Sequence, residues 1–342
     1  MRQRAQSGTP SVNRRRQRVI DIHAHYFPQP YLDLLAYEGS PYGAGYSPQP
    51  NGFTVVGASR ALGPMPMKFI DLSIRVAEMD EHGVDVQALS LTSPMVYWAP
   101  PDLSARLCRA YNNGASAAHV AYPSRFIGLI ALPMLDPDRS LEELDRASRL
   151  PGMHGVYLGT NIEDRDLSDP LFTPVFEKIE GLRLPVLLHP LKTIGGTRLQ
   201  PWHLSNLLGN PFDTAIAAAH LIFGGVLDRF PNLEITLPHA GGALPILTGR
   251  FDHGFRVRAE MKHMPRKPSD YLRRFTYDTI GHSPAVMKFV ISQVGADRVM
   301  LGSDYCFDMG FEDPVSVVDD LELSPAERDL IIGGTAARLL RL

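Results

Sequence analysis

The sequence predicts an α/β protein of the (β/α)8 TIM-barrel type with a small insertion after its first strand. Three observations carry that prediction. Eight short apolar runs of β-type composition alternate with stretches of helical period. Four of the runs end in a histidine or an aspartate: V-I-D-I-H-A-H at 19–25, V-L-L-H-P at 186–190, I-T-L-P-H-A-G-G at 235–242 and M-L-G-S-D-Y at 300–305. No G-x-G-x-x-G follows the first run, so the competing architecture, a doubly wound dinucleotide-binding sheet, has no support.

The elements follow in order. Val19–Ile22 is the first strand. Residues 28–66 are rich in Pro, Gly and Tyr, with a hairpin expected around Asn51-Gly52 beside Phe53–Val56. This stretch reads as a lid or interface module inserted into the barrel. Ile70, Ile74, Ala77 and Met79 then recur at helical spacing up to Gly83, and Val84–Ser90 is strand two. Helices over 102–119, 140–150, 171–181, 213–230, 243–262 and 285–294 alternate with strands over 126–132, 155–159, 186–189, 233–237, 275–279 and 298–302, and 325–340 closes the chain as helix.

Composition narrows the function classes. The chain has 342 residues, 44% hydrophobic and 21% charged, with net charge −3, which gives no global case for nucleic acid or an anionic membrane. No run of 18 apolar residues predicts a transmembrane helix. Residues 1–18 carry six arginines and no apolar h-region; they read as a disordered basic arm. The two cysteines, Cys108 and Cys306, make no disulfide framework, and a reducing cytoplasm is the default compartment.

His23 and His25 stand two apart on a strand, so their imidazoles project from one face. His189, His239 and Asp304 end other strands at the C-terminal side, where a barrel gathers its loops and its chemistry. Taken singly, His189 reads as a hydrogen-bonded structural residue, Asp304 as a turn or helix cap and His239 as a loop residue. Together they point to a divalent metal. His253 and His282 lie on the same side as further polar groups. Cys306 stands close to Asp304, with no basic partner to activate it.

These motifs resemble those of the amidohydrolase superfamily and, within it, the decarboxylase branch. R-V-A-E-M-D-E-H-G-V-D-V-Q-A-L-S at 75–90, Y-P-S-R-F-I-G-L-I-A-L-P-M at 122–134 and G-R-F-D-H-G-F at 249–255 extend the likeness over about 19–340. The resemblance implies that His23, His25, His189 and Asp304 hold the metal and that His239 is the general acid/base. It implies that Arg75 holds the substrate carboxylate. It also implies that Arg250 enters the neighbouring subunit's site, hence a homodimer. Zn²⁺ is the first candidate metal and Mn²⁺ the next, with no organic cofactor.

The implied activity is non-oxidative decarboxylation of an unsaturated or aromatic carboxylic acid, of the carboxymuconate-semialdehyde type. Asp304 would pass a water proton to the carbon that loses CO₂. Retention of His23, where some benzoate-acting relatives carry Glu, points the same way. The alternative is a metal-dependent hydrolase or hydratase of a related ring-cleavage product; a non-catalytic metal-binding protein is the third reading. Two loops depart from the pattern: 191–208 lacks a tryptophan after His-Pro, and C-F-D-M-G at 306–310 stands where a proline is expected after Tyr305.

Overall fold

The computed structural model describes residues 17–57 and 60–342; residues 1–16 of the basic arm lie outside the described residues. Eight parallel strands pair in chain order: β1 (Ile20–His25), β2 (Val86–Ser90), β3 (Phe126–Ile130), β4 (Met153–Gly159), β5 (Val186–His189), β6 (Ile235–Leu237), β7 (Phe275–Asp278) and β8 (Val299–Met300). The two ends of the sheet meet. Ile22 N–H donates to Leu301 O at 3.0 Å, and Ala24 bridges Tyr305 in parallel. The structure is therefore the barrel the alternating pattern predicts, with its strands almost wholly buried.

Helices cover the outside: α1 (Leu72–Glu81), α2 (Pro101–Ala121), α3 (Pro137–Ala147), α4 (Thr173–Leu182), α5 (Asn210–Phe223), α6 (Leu244–Val257) and α7 (Pro284–Val294). Their starts follow local chemistry. The Asp71 carboxylate accepts from Ser73 N–H at 2.8 Å and caps α1, and Asp136 caps α3 through Arg139 N–H at 3.1 Å. Pro opens α2, α3 and α7, where its missing N–H costs nothing. The tail is helical over 325–340, with a π-helical turn at Leu330–Gly334. A Cβ on Gly333 would press on Arg18 O at 1.8 Å, so glycine is required where the tail crosses the entry to β1.

The insertion holds more structure than the sequence pattern indicates. A helix, Gln29–Glu38, precedes a three-stranded antiparallel sheet of Gly45–Gln49, Gly52–Gly57 and Arg60–Met65. The expected hairpin is present, with its turn at Pro50-Asn51 and Gly52 opening the second strand. Phe53, buried, packs against Phe27 and Phe69. From Phe69 the aromatic contacts run to Phe307 (centroids 5.0 Å) and on to His25 (5.2 Å), so the insertion's core abuts the barrel mouth.

One irregularity in β1 has consequences for the site. The pairing with β2 shifts register between Asp21 and Ala24, a β-bulge. Ser90 binds His25 on the interior face, so Gln87, at odd separation from it, faces the helices, and Asp21 pairs with Gln87. Strict alternation would put Asp21 and His23 on one face. The bulge sends Asp21 toward α1 and His23 into the barrel.

Candidate metal centre

Four strand ends deliver the cluster. β1 supplies His23 and His25, β5 supplies His189, the turn after β6 supplies His239, and the segment after β8 supplies Asp304. Ligand atoms of His23, His189, His239 and Asp304 all lie within 4.8 Å of one another. His25 is adjacent: its ring centroid is 5.0 Å from that of His23 and 4.9 Å from that of His189, and its Nε2 is 2.9 Å from Asp304 Oδ1. The structure thus brings all five predicted histidine and aspartate positions together. His239 falls inside the tightest group, and His25 stands at its edge.

Hydrogen bonds fix the histidine tautomers. His23 Nδ1–H donates to Asp278 Oδ2 at 2.8 Å, and His189 Nδ1–H donates to Pro190 O at 2.9 Å. Ser90 Oγ–H donates to Ala24 O at 3.1 Å, so His25 Nδ1–H is the donor in the 3.0 Å contact with Ser90 Oγ. All three rings therefore turn an Nε2 lone pair inward. His23 Nε2 is buried with no hydrogen-bond partner, 3.4 Å from Asp304 Oδ1. Lone pairs facing a carboxylate are repulsive unless a cation lies between them, and this donor set fits a divalent metal. His23, His25, His189, His239 and Asp304 are the residues able to hold it.

For His25, His189 and Asp304 the electrostatics agree. Burial pushes His25 down to about 4 and His189 well below the ordinary imidazole range, keeping both neutral as ligands must be. Burial alone would raise Asp304, but the histidines around it hold it well below the usual carboxylate range. Burial opposes a charge on His23, but Asp278 and Asp304 outweigh it and raise this ring. His239 Nε2 lies 3.8 Å from Asp304 Oδ2, and its side chain is 13% exposed against 5–7% for His23 and Asp304. His239 is the ring that faces the open mouth.

Three backbone positions here are strained. His239 (φ 54°), Ala240 (55°) and Asp304 (59°) occupy the left-handed region without being glycine. Asp278 Oδ1 holds the first two in place by accepting from Ala240 N–H at 2.8 Å, and it also accepts from Ile280 N–H at 3.1 Å. Asp278 and Ser90 are functional partners that the sequence reasoning missed. The signal was present: each ends a barrel strand, as the selected residues do.

The arginines sit differently. Arg75, on α1, has 0% exposure. Its guanidinium donates to His25 O, to Lys68 O at 3.2 Å and to Gln87 Oε1 at 3.1 Å; it lies 3.5 Å from Cys306 Sγ and 4.6 Å from the Tyr305 ring centroid. Its Nε–H is buried with no hydrogen-bond partner. Arg250 is exposed on α6 and forms no ion pair among the described residues. Burial pushes the Cys306 thiol up to about 12 despite Arg75, so a thiolate nucleophile is disfavoured. His253 and His282 are both exposed, the latter with its ring 5.0 Å from that of Phe311.

A closed parallel barrel with histidines and an aspartate converging at its C-terminal mouth defines a metal-dependent barrel enzyme. The chain belongs to the amidohydrolase family, whose model matches residues 20–342. It is 34% identical over 276 residues to the 2-amino-3-carboxymuconate-6-semialdehyde decarboxylase of Dictyostelium discoideum, covering 80% of this chain and 77% of that protein. Among solved structures it resembles the 5-carboxyvanillate decarboxylase LigW of Sphingomonas paucimobilis, with TM-score 0.82, 27% identity, and 95% and 99% of the two chains covered. The 5-carboxyvanillate decarboxylase of Novosphingobium aromaticivorans, crystallised with manganese and 4-hydroxy-3-methoxy-5-nitrobenzoic acid, shares the fold at TM-score 0.82 and 24% identity, covering 96% and 97% of the chains.

Proposed function

We propose that this chain is a metal-dependent, non-oxidative decarboxylase of a carboxylated muconate semialdehyde, with a hydroxylated aromatic acid as the second substrate class. The observation that carries the reading is the convergence of inward imidazole lone pairs and Asp304 at the barrel mouth. The chain is a carboxy-lyase of its family, and the hydrolase or hydratase reading is not favoured.

The ligands we assign are His23, His25, His189 and Asp304, with His239 as general acid/base. His25 Nε2 approaches Asp304 more closely than His239 does, 2.9 Å against 3.8 Å, and His239 is the more open to substrate. A second reading exchanges His25 and His239, favoured by the mutual 4.8 Å grouping. A divalent ion bound here supplies Lewis acidity and lowers the pKa of water from ~15.7 toward ~7. We assign to Asp304 the uptake and return of a proton, and His239, as general acid/base, would exchange a proton with substrate. A nitrogen-rich set suits Zn²⁺; the carboxylate in the set, and manganese in a protein of the same fold, make Mn²⁺ the alternative.

Arg250 is the group we assign to a neighbouring subunit's substrate carboxylate. Ile246 (74% exposed), Arg250 and Val257 (59%) form one outward stripe on α6, an apolar surface suited to a homodimer interface. Arg75 we assign to holding the end of β1, where the sequence resemblance gives it the substrate. No helix among the described residues is long and apolar enough to cross a membrane, and two free, buried thiols suit the reducing cytoplasm we propose.

The test couples metal analysis of the purified chain to CO₂ release on carboxylated muconate semialdehydes and hydroxybenzoates. The expected result is one divalent ion per chain and chelator-sensitive CO₂ release. Acid or hydrated product without CO₂ would overturn the decarboxylase assignment.

A further inference from the structure

We infer that Asp278 is a positioning residue that sets the tautomer of His23 through one carboxylate oxygen and holds the His239 turn through the other. The inference rests on the proposed reading of His23 as a metal ligand and deepens it. Asp278 ends β7, is fully buried, and divides its oxygens between two tasks. Oδ2 accepts a hydrogen bond from His23 Nδ1–H at 2.8 Å, which leaves Nε2 bare toward the cluster. Oδ1 accepts from Ala240 N–H at 2.8 Å, pinning a turn in which His239 and Ala240 hold positive φ, and also from Ile280 N–H at 3.1 Å. The same side chain thus fixes a ligand's lone pair and the backbone of the proposed acid/base.

The asymmetry of these bonds separates the tasks by mutation. In Asp278→Asn, two backbone N–H donors require the amide oxygen on their side, because the reversed amide would set donor against two donors. The amide nitrogen then faces His23 Nδ1 and donates to it. His23 is forced into the Nε2–H tautomer, which has no lone pair for a metal. In Asp278→Ala the turn loses its acceptor, yet His23 is free to adopt either tautomer. A purely structural role ranks Ala as the more damaging change; the tautomer role ranks Asn as worse for metal binding.

The experiment uses the full-length chain stripped of metal, with Zn²⁺ as the probe in competition with a chromophoric chelator and ¹⁵N NMR of the histidines. Wild type should show a protonated Nδ1 on His23, and Asp278→Asn a protonated Nε2. Zn²⁺ affinity should fall roughly 10–100-fold in Asp278→Asn and less in Asp278→Ala. An unprotonated His23 Nδ1 in wild type, or Zn²⁺ binding by Asp278→Asn as tight as by Asp278→Ala, would overturn the inference. Failure of wild type to take up Zn²⁺ or Mn²⁺ would remove the proposed function instead, and the tautomer in the metal-free chain would still decide the role of Asp278.

Discussion

His239 Nε2 faces Asp304 Oδ2 across 3.8 Å, while the opposite oxygen of Asp304 lies 2.9 Å from His25 Nε2. One carboxylate therefore divides the cluster into a side that faces protein and a side that faces the mouth. His239→Asn should retain the metal and lose turnover by roughly 10²–10⁴-fold, the range of a general acid/base. His25→Asn should lose metal. Metal content and kcat of the two purified variants check this, and metal loss in His239→Asn alone would exchange the two assignments.

Arg75 closes a buried network in which two main-chain carbonyls and Gln87 accept from its guanidinium. Replacement by Met leaves those acceptors unpaired. Arg75→Met should cost about 3–5 kcal/mol of stability, as for other buried charged networks broken on one side. Denaturant unfolding measures it. Unchanged stability with a raised KM would return Arg75 to the substrate.

Arg250 belongs to an exposed stripe, so its removal should leave folding intact within about 0.5 kcal/mol. Arg250→Ala should nevertheless lose activity if the residue serves a neighbouring subunit. Mixed with His239→Asn chains, half of the re-paired dimers are mixed and each carries one complete site. About one quarter of wild-type activity should then return. No recovery after demonstrated subunit exchange would exclude sharing.

Asp213 at the start of α5 is buried and accepts from Thr160 Oγ1 and from Asn161 Nδ2, the latter at 3.1 Å; Thr160 N–H in turn donates to His189 O at 3.0 Å. Burial raises the Asp213 carboxyl from 3.8 to about 6, more than those donors lower it. The folded chain therefore binds more protons than the unfolded chain between these values, and its stability falls as pH rises through the window. The loss is about 3 kcal/mol, most of it between pH 4 and 6. Urea unfolding across that range should show a steeper fall in wild type than in Asp213→Asn, by about 3 kcal/mol, while Asp21, raised to about 6 by burial, keeps a residual slope in both.

The barrel was legible because short apolar runs and helical stretches are local properties. Asp71, Asp136 and the helix-opening prolines act within a few residues of where they stand. The H-x-H pair and the strand-end His189, His239 and Asp304 were legible for the same reason: position at a strand's C-terminal end can be read without knowing what lies opposite. The insertion's helix was less so, since Pro and Gly at 28–45 mask its short apolar face.

What the sequence by itself determined is the alternation that builds the barrel and the set of polar residues delivered to its mouth. Tertiary structure alone decided which nitrogen of each histidine looks inward, since that depends on Asp278, Ser90 and Pro190 O, two of which come from other strands. It also decided that Arg75 lies enclosed and Arg250 exposed. The reason is physical: a hydrogen bond spans about 3 Å in space with no fixed separation along the chain. His23 and Asp278 are 255 residues apart in sequence and meet only when the sheet closes.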